Sequence, residues 1–170
     1  MQKYASFETE RLLLIPTSLK DASFLLKLLN TPKWQLYIGD RNVHTLKDAK
    51  KYIKDKITPQ LEKLGFANYT IVRKIDNVKI GTCGLYDRDG IDGFDIGFAF
   101  LPEFEKQGYA FESAQKILKI GVDIFKIEKI CAITVKENWA SQKLLEKLGL
   151  HFEKYIKIPN DNEELLLYKL

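Results

Sequence analysis

The chain reads as a mixed α/β fold built on one mostly antiparallel sheet that contains a single parallel strand pair. Three observations lead there. Apolar residues recur at alternate positions in some stretches and with the helical period in others. Strand-like and helix-like stretches follow in the order β-α-α-β-β-β-α-β-α-β-β. One helical stretch lies between two strands late in the chain, and such a crossover joins parallel strands with a right-handed connection. The earlier strands are joined by hairpins, so they run antiparallel.

Arg11–Ile15 (RLLLI) is a short strand stopped by Pro16. A helix is expected from about Ser18 to Leu29. Ser18 suits the N-cap with Asp21 three residues on, and Phe24, Leu25, Leu28 and Leu29 make one apolar stripe. Thr31-Pro32 should end it, because a residue before proline disfavours the helical region. A second helix starts near Thr45, with Leu46, Ala49, Tyr52, Ile53 and Ile57 inward. Pro59 stops or kinks it, and Gly65 closes it.

Ala67–Ile75 and Val78–Tyr86 are strands around a tight turn at Asp76-Asn77. Asp87–Gly93 is a polar loop. Phe94–Leu101 is a strand in which Gly97 suggests a bulge or a close approach to the backbone. A helix from about Gln107 to Phe125 puts Ala110, Ala114, Ile117, Leu118, Gly121 and Phe125 on one face. Lys129–Lys136 is a strand and Asn138–Leu148 a helix. His151–Ile158 and Glu163–Leu170 form a closing hairpin around Pro159-Asn160-Asp161-Asn162.

At 170 residues and 45% apolar content, with no repeat and no composition shift, the chain is expected to be one domain, 1–170. Its net charge of +4 is scattered, and acidic residues interrupt the clusters at Lys47–Lys56 and Lys143–Lys154. Those are solvated helix faces rather than a nucleic-acid stripe. Cys83 and Cys131 each lie in an apolar strand without a CxxC partner, and His44 and His151 have no ligand spacing. Buried free thiols are expected, with no metal and no structural disulfide. The stretch MQKYASFETE has no apolar signal core, and no run of 18 apolar residues occurs. The expectation is a soluble, cytoplasmic protein without a membrane partner.

The turn after Phe94–Leu101 carries chemistry. Pro102 ends the strand, Gly108 lets a ligand approach the backbone, and Ala110 keeps the next turn slim. The N–H groups of Lys106 to Ala110 should face out of the amino end of the helix, where the dipole is positive. A pyrophosphate fits there without any particular side chain, and Lys106 adds charge. The same residues also suit an ordinary strand-to-helix turn.

Two further segments make the pattern more specific. PEFEKQGYAFES at 102–113, NWASQKLLEKLGL at 138–150 and FETERLLLIPTSLKDA at 7–22 together resemble the GNAT acetyltransferase superfamily. The closest likeness is to its RimJ/RimL-type (ribosomal-protein N-acetyltransferase) branch. There the crossover motif looks like PEYWGKGYATEA and the later helix like NxxSxxLxEKLGF. The likeness runs from about Phe7 to Leu170.

The resemblance implies a GNAT fold: a mixed, mostly antiparallel sheet of six to seven strands, a central splayed parallel pair, and helices on both faces. It implies acetyl-CoA as co-substrate and no metal. The pantetheine would lie in the V between Phe94–Leu101 and Lys129–Lys136, paired with backbone groups of Phe98 and Phe100. The pyrophosphate would sit on the amides of Lys106, Gln107, Gly108, Tyr109 and Ala110. Asn138 would bond the pantetheine arm while also capping its helix. Glu105 departs from the Arg, Gln or Trp of many relatives and is expected to turn to solvent. Lys106 replaces a frequent glycine, so a weaker phosphate grip is expected.

The implied reaction is direct attack of a neutral primary amine on the thioester in a ternary complex. A free α-amine has a pKa of ~7.7–8.0 and lysine ~10.4, so an α-amine needs less help from a base. A backbone N–H in Gly97–Phe100 is expected to stabilise the oxyanion, typically worth on the order of 3 kcal/mol. Many superfamily members place a tyrosine in the last helix for the leaving thiolate. The matching Leu145 has no proton to give, so Ser141, on the same helix face as Asn138, is the candidate donor to sulfur.

Glu164, before the final strand, is the candidate base. Its neighbour Glu163 faces the other way, and Asp87, Asp89 or ordered water are alternatives. Each of these carboxylates also reads as solvated surface. The acceptor, a protein N-terminal α-amine or a small amine, would meet Ser18–Gly65 and the loops Asp87–Gly93 and Pro159–Asn162. Trp34, Tyr37 and Arg41 are candidate walls. The assembly is expected to be a monomer or homodimer without nucleic acid. A second class, a non-catalytic acyl-CoA-binding regulatory module, stays open through Leu145, and thiol release with an amine panel separates the two.

Overall fold

The structure, a computed structural model, describes residues 3–170; Met1 and Gln2 of the amino-terminal stretch lie outside it. The strands are β1 (Phe7–Glu8), β2 (Leu12–Pro16), β3 (Asn68–Arg73), β4 (Val78–Asp87), β5 (Phe94–Phe100), β6 (Ile130–Val135), β7 (His151–Ile156) and β8 (Leu165–Lys169). They form one sheet in the order β1-β2-β3-β4-β5-β6-β8-β7. Every neighbouring pair is antiparallel except β5 and β6, which are parallel. The eighth strand, beyond the six or seven expected, is the two-residue β1. It is too short to show an alternating pattern in the sequence.

The helices are α1 (Ala22–Leu29), α2 (Pro32–Tyr37), α3 (Leu46–Tyr52), α4 (Thr58–Leu64), α5 (Tyr109–Asp123) and α6 (Trp139–Lys147). Ser18 forms the expected capping box with Asp21 at the 3-10 turn before α1, and Thr45 forms another with Asp48 at α3. Two buried clusters lie on the two faces of the sheet. One joins Leu14, Ile71, Ile80, Leu85 and Ile96 to Ile117 of α5 and Leu145 of α6. The other joins Leu25 and Leu28 of α1 to Ala49, Ile53, Ile57 and Leu61 along α3 and α4.

Two prolines behave differently from the sequence expectation. Thr31 is extended, as a residue before proline should be, yet Pro32 starts α2 instead of merely ending α1. A proline costs nothing at the first helical position, where its missing N–H has no partner anyway. Pro59 neither stops nor sharply breaks the second helix. A wider π turn over Ile53–Ile57 precedes it, and Pro59 falls in the first turn of α4. Gly65 then ends α4 at φ 81. Leu46, expected inward, is exposed at the outer start of α3.

Gly97 sits in regular register opposite Gly84, so β5 has no bulge against β4. The glycine serves a close approach instead. A Cβ there would lie 2.9 Å from the Tyr86 ring, which covers that part of the strand.

Candidate active site

The site begins where β5 and β6 part. Their parallel pairing covers only Phe94↔Ile130 and Asp95↔Cys131, while β5 stays paired with β4 along its whole length. The direction of the free backbone groups follows from alternation along the strand. Phe94 N–H donates to Lys129 O at 2.9 Å, on the β6 side, and Leu101 N–H donates to Ile80 O at 2.9 Å, on the β4 side. The main-chain groups of Phe98 and Phe100 therefore share the direction of Phe94 and face the opening. An extended ligand bearing amides can complete the sheet edge there.

The mouth of the opening is the turn into α5. Lys106 has φ 58 and Gly108 φ 82, so two left-handed residues flank Gln107. That alternation gathers successive N–H groups into a concave anion site. No hydrogen bond within the described residues takes up the backbone N–H of Lys106, Gln107, Gly108, Tyr109 or Ala110.

Arg11, at the start of β2, braces this turn. Its Nη1 donates to Gln107 O at 3.0 Å, its Nε donates to Glu112 Oε2 at 2.6 Å, and its guanidinium lies 4.4 Å from the Tyr109 ring centre. Burial works to raise the Glu112 pKa. Hydrogen bonds from the Thr9 hydroxyl and from Arg11 outweigh it and hold the carboxylate below its ordinary range. Sequence reasoning missed this clamp, because its partners are about a hundred positions apart.

A cleft of about 360 Å³ runs from the turn into the opening. Phe98, Phe100, Lys106, Gly108, Tyr109, Ala110, Asn138 and Ser141 all line it. Gln107 does not; its amide Nε2 donates back to Glu103 O at 3.0 Å. Asn138 caps α6 through its Oδ1, which accepts from Ser141 N–H at 3.2 Å, and its amide nitrogen has no partner among the described residues. The Ser141 hydroxyl likewise faces the cleft without a protein partner among them.

Two expectations change, at Glu105 and at Arg41. Glu105 does not turn to solvent: it is half-buried in the cleft wall and ion-paired with Lys33 of α2. A cation one turn into a helix that the sequence hid neutralises it. Leu145 is 1% exposed in the core and does not line the cleft, where α6 presents Ser141 and Leu144 instead. Trp34 and Tyr37 are cleft walls, but Arg41 is not. Glu164 is exposed, immediately before β8, and lies outside the cleft lining, as do Glu163, Asp87 and Asp89.

Burial pushes the thiols of Cys83 and Cys131 up to about 12, so neither is a thiolate nucleophile. Among the described residues no cluster of His, Cys, Asp and Glu is placed to hold a metal ion, and no helix is long and apolar enough to cross a membrane.

An opening for an extended amide chain beside an anion-binding turn defines a class: transferases that draw their group from a nucleotide-tailed thioester. The GNAT acetyltransferase domain model matches residues 11–151, and the chain belongs to that family. It is an acetyl-CoA-dependent acetyltransferase. Among curated relatives it is 29% identical over 157 residues to the uncharacterized N-acetyltransferase YnaD of Bacillus subtilis, covering 91% of this chain and 89% of that one. It is 30% identical over 147 residues to the N-acetyltransferase p20 of Bacillus licheniformis, covering 85% and 82%. Among solved structures, a GNAT acetyltransferase from Bacillus anthracis superposes with a TM-score of 0.80 at 26% identity, covering 98% of each chain. RimL, a ribosomal L7/L12 α-N-protein acetyltransferase solved with coenzyme A, shares the fold with a TM-score of 0.81 at 18% identity, covering 98% and 97%.

Proposed function

We propose that this chain acts as a single domain and moves the acetyl group of acetyl-CoA to a primary amine in a ternary complex. The acceptor we favour is an α-amine, on a peptide amino terminus or a small molecule. The observation that carries the donor half is the opening beyond Asp95 and Cys131, with main-chain groups of Phe98 and Phe100 facing it. The pantetheine lies there, the pyrophosphate rests on the amides of Lys106 to Ala110, and Asn138 bonds the pantetheine arm.

The amine lone pair attacks the thioester carbonyl carbon, the C–S bond breaks, and the thiolate leaves with Ser141 donating a hydrogen bond to sulfur. The ammonium proton passes to water or, through water, to Glu164. The lining of the cleft among the described residues supports this acceptor class. Its lining carboxylate is Glu105, already engaged by Lys33. An amine that arrives near neutrality therefore suits it, and an α-amine at ~7.7–8.0 does so where lysine at ~10.4 does not. The α-N-protein activity in RimL's name agrees with that choice.

An acceptor screen tests the proposal: thiol release from acetyl-CoA with peptides of varied amino-terminal residue, the same peptides blocked at the α-amine, and small amines. Release that needs a free α-amine supports it. Release confined to lysine side chains overturns the acceptor class. Coenzyme A binding without turnover across the panel would favour a regulatory module. The missing tyrosine at Leu145 is what keeps that reading open.

A further inference from the structure

Asp95 sits at the point where β5 and β6 separate, and none of the roles above uses it. Its side chain is 4% exposed. With Phe94 paired to Ile130 and Asp95 to Cys131, an uninterrupted parallel ladder would next join Ile133 N–H to the Ile96 carbonyl. That bond is replaced. Ile133 N–H donates instead to Asp95 Oδ1 at 3.3 Å, while Asp95 Oδ2 accepts from Arg88 Nε at 2.9 Å. One carboxylate thus caps the ladder at the residue where it stops and anchors the loop between β4 and β5.

We propose that Asp95 is a positioning residue for acetyl transfer: its carboxylate holds the β5–β6 opening apart for the pantetheine and ties the Arg88 loop, on the acceptor side, to the same point. This rests on the donor site described under the proposed function. Left without that acceptor, the part-buried Ile133 amide would lack a protein partner, and the nearest in the ladder is the Ile96 carbonyl. Taking it would draw β6 toward β5 and narrow the entry. The surroundings fit a fixed peg rather than a mobile base. Tyr86 lies across the strand and Cys131 opposite, both without charge, and Arg88 is the one cation bonded to it. Burial raises the Asp95 pKa to about 6 against the opposing pull of Arg88. In asparagine the single oxygen can still accept from the Ile133 N–H, while its NH2 meets the Arg88 Nε–H and gives up the loop tie.

The test compares wild type, Asp95→Asn and Asp95→Ala by amide hydrogen exchange at Ile133 and by calorimetric titration with coenzyme A. Asparagine keeps a side-chain oxygen for the Ile133 N–H. It should retain Ile133 protection and bind coenzyme A within about threefold of wild type. Alanine should repair the ladder or leave the amide open, and weaken coenzyme A on the order of tenfold or more. Equal affinity in wild type and Asp95→Ala would overturn the proposal, as would an Asp95→Asn protein that keeps Ile133 protected yet binds coenzyme A as weakly as the alanine variant. Should the alanine variant not fold, wild type still decides. An Ile133 amide exchanging at the rate of an unstructured one removes the hydrogen bond on which everything depends. Wild type that protects Ile133 yet binds no coenzyme A would instead overturn the donor site itself, and with it the role of Asp95.

Discussion

Arg11 Nε and Glu112 Oε2 meet at 2.6 Å, joining the start of β2 to the first turn of α5 behind the anion-binding turn. The pair is partly exposed, so its net worth is modest. Arg11→Ala should cost about 1–2 kcal/mol, read as a Tm lowered by roughly 3–6 °C. Coenzyme A affinity should fall as well, because the Gln107 carbonyl loses the donor that holds the turn in shape. A Tm loss with unchanged affinity would show that the clamp serves the fold alone.

The same pair gives a pH dependence. The folded Glu112 pKa lies below its ordinary value, so its contribution to stability is fully present above about pH 4.5 and is lost as pH falls through the folded value. Thermal unfolding between pH 3 and 6 should therefore show a steeper acid loss in wild type than in Glu112→Gln, with lower stability for the variant at neutral pH.

Gly108→Ala should damage both stability and donor binding. Its φ of 82 is strained for any L side chain, and a Cβ there would lie 3.2 Å from Arg11 Nη2. Gly149→Ala is the control, since φ is 96 but nothing lies within 4 Å of a Cβ. Each should lose about 1 kcal/mol to backbone strain. Only the first should weaken coenzyme A, measured by titration.

Glu105→Gln removes a carboxylate from beside the anion site and frees Lys33 to face it. Coenzyme A should bind a few-fold tighter at low salt, with the advantage shrinking as salt screens it. Weaker binding would mean that the Lys33–Glu105 pair shapes the turn more than its charge opposes the phosphate.

Asn138 and Ser141 should separate kinetically. Asn138→Ala loses the N-cap of α6, about 1 kcal/mol, together with a bond to the pantetheine arm, so the KM for acetyl-CoA should rise. Ser141→Ala loses one hydrogen bond to the departing sulfur, about 0.5–1.5 kcal/mol of barrier. It should lower kcat by roughly three- to tenfold with little change in KM. Unchanged kcat would remove Ser141 from the reaction.

Sequence patterns reported local chemistry well. The capping box at Ser18, the helix start at Thr45, the helix end at Gly65 and the cleft residues Asn138 and Ser141 each depend on neighbours within a few positions. What stayed hidden is long-range or masked by a local rule. Pro32 looked like a stop and was a start. Glu105 met a lysine from the helix that proline begins, 72 positions earlier. Arg11 reached Glu112 across 101 positions. Leu145 lies in the core, and sequence register alone does not fix which face of α6 turns there. Asp95 is one polar residue in a strand, and nothing local marks the amide it meets.

The brief contact between β5 and β6 divides the sheet into two leaves, five strands on one side and three on the other, with a spine only two residue pairs long. The crossover helix and the side chains beneath it bind the covers together, but the pages are barely sewn. On the proposed donor site, a molecule threaded down the gutter would supply the missing stitches, and loading the enzyme would fasten its architecture in the same event.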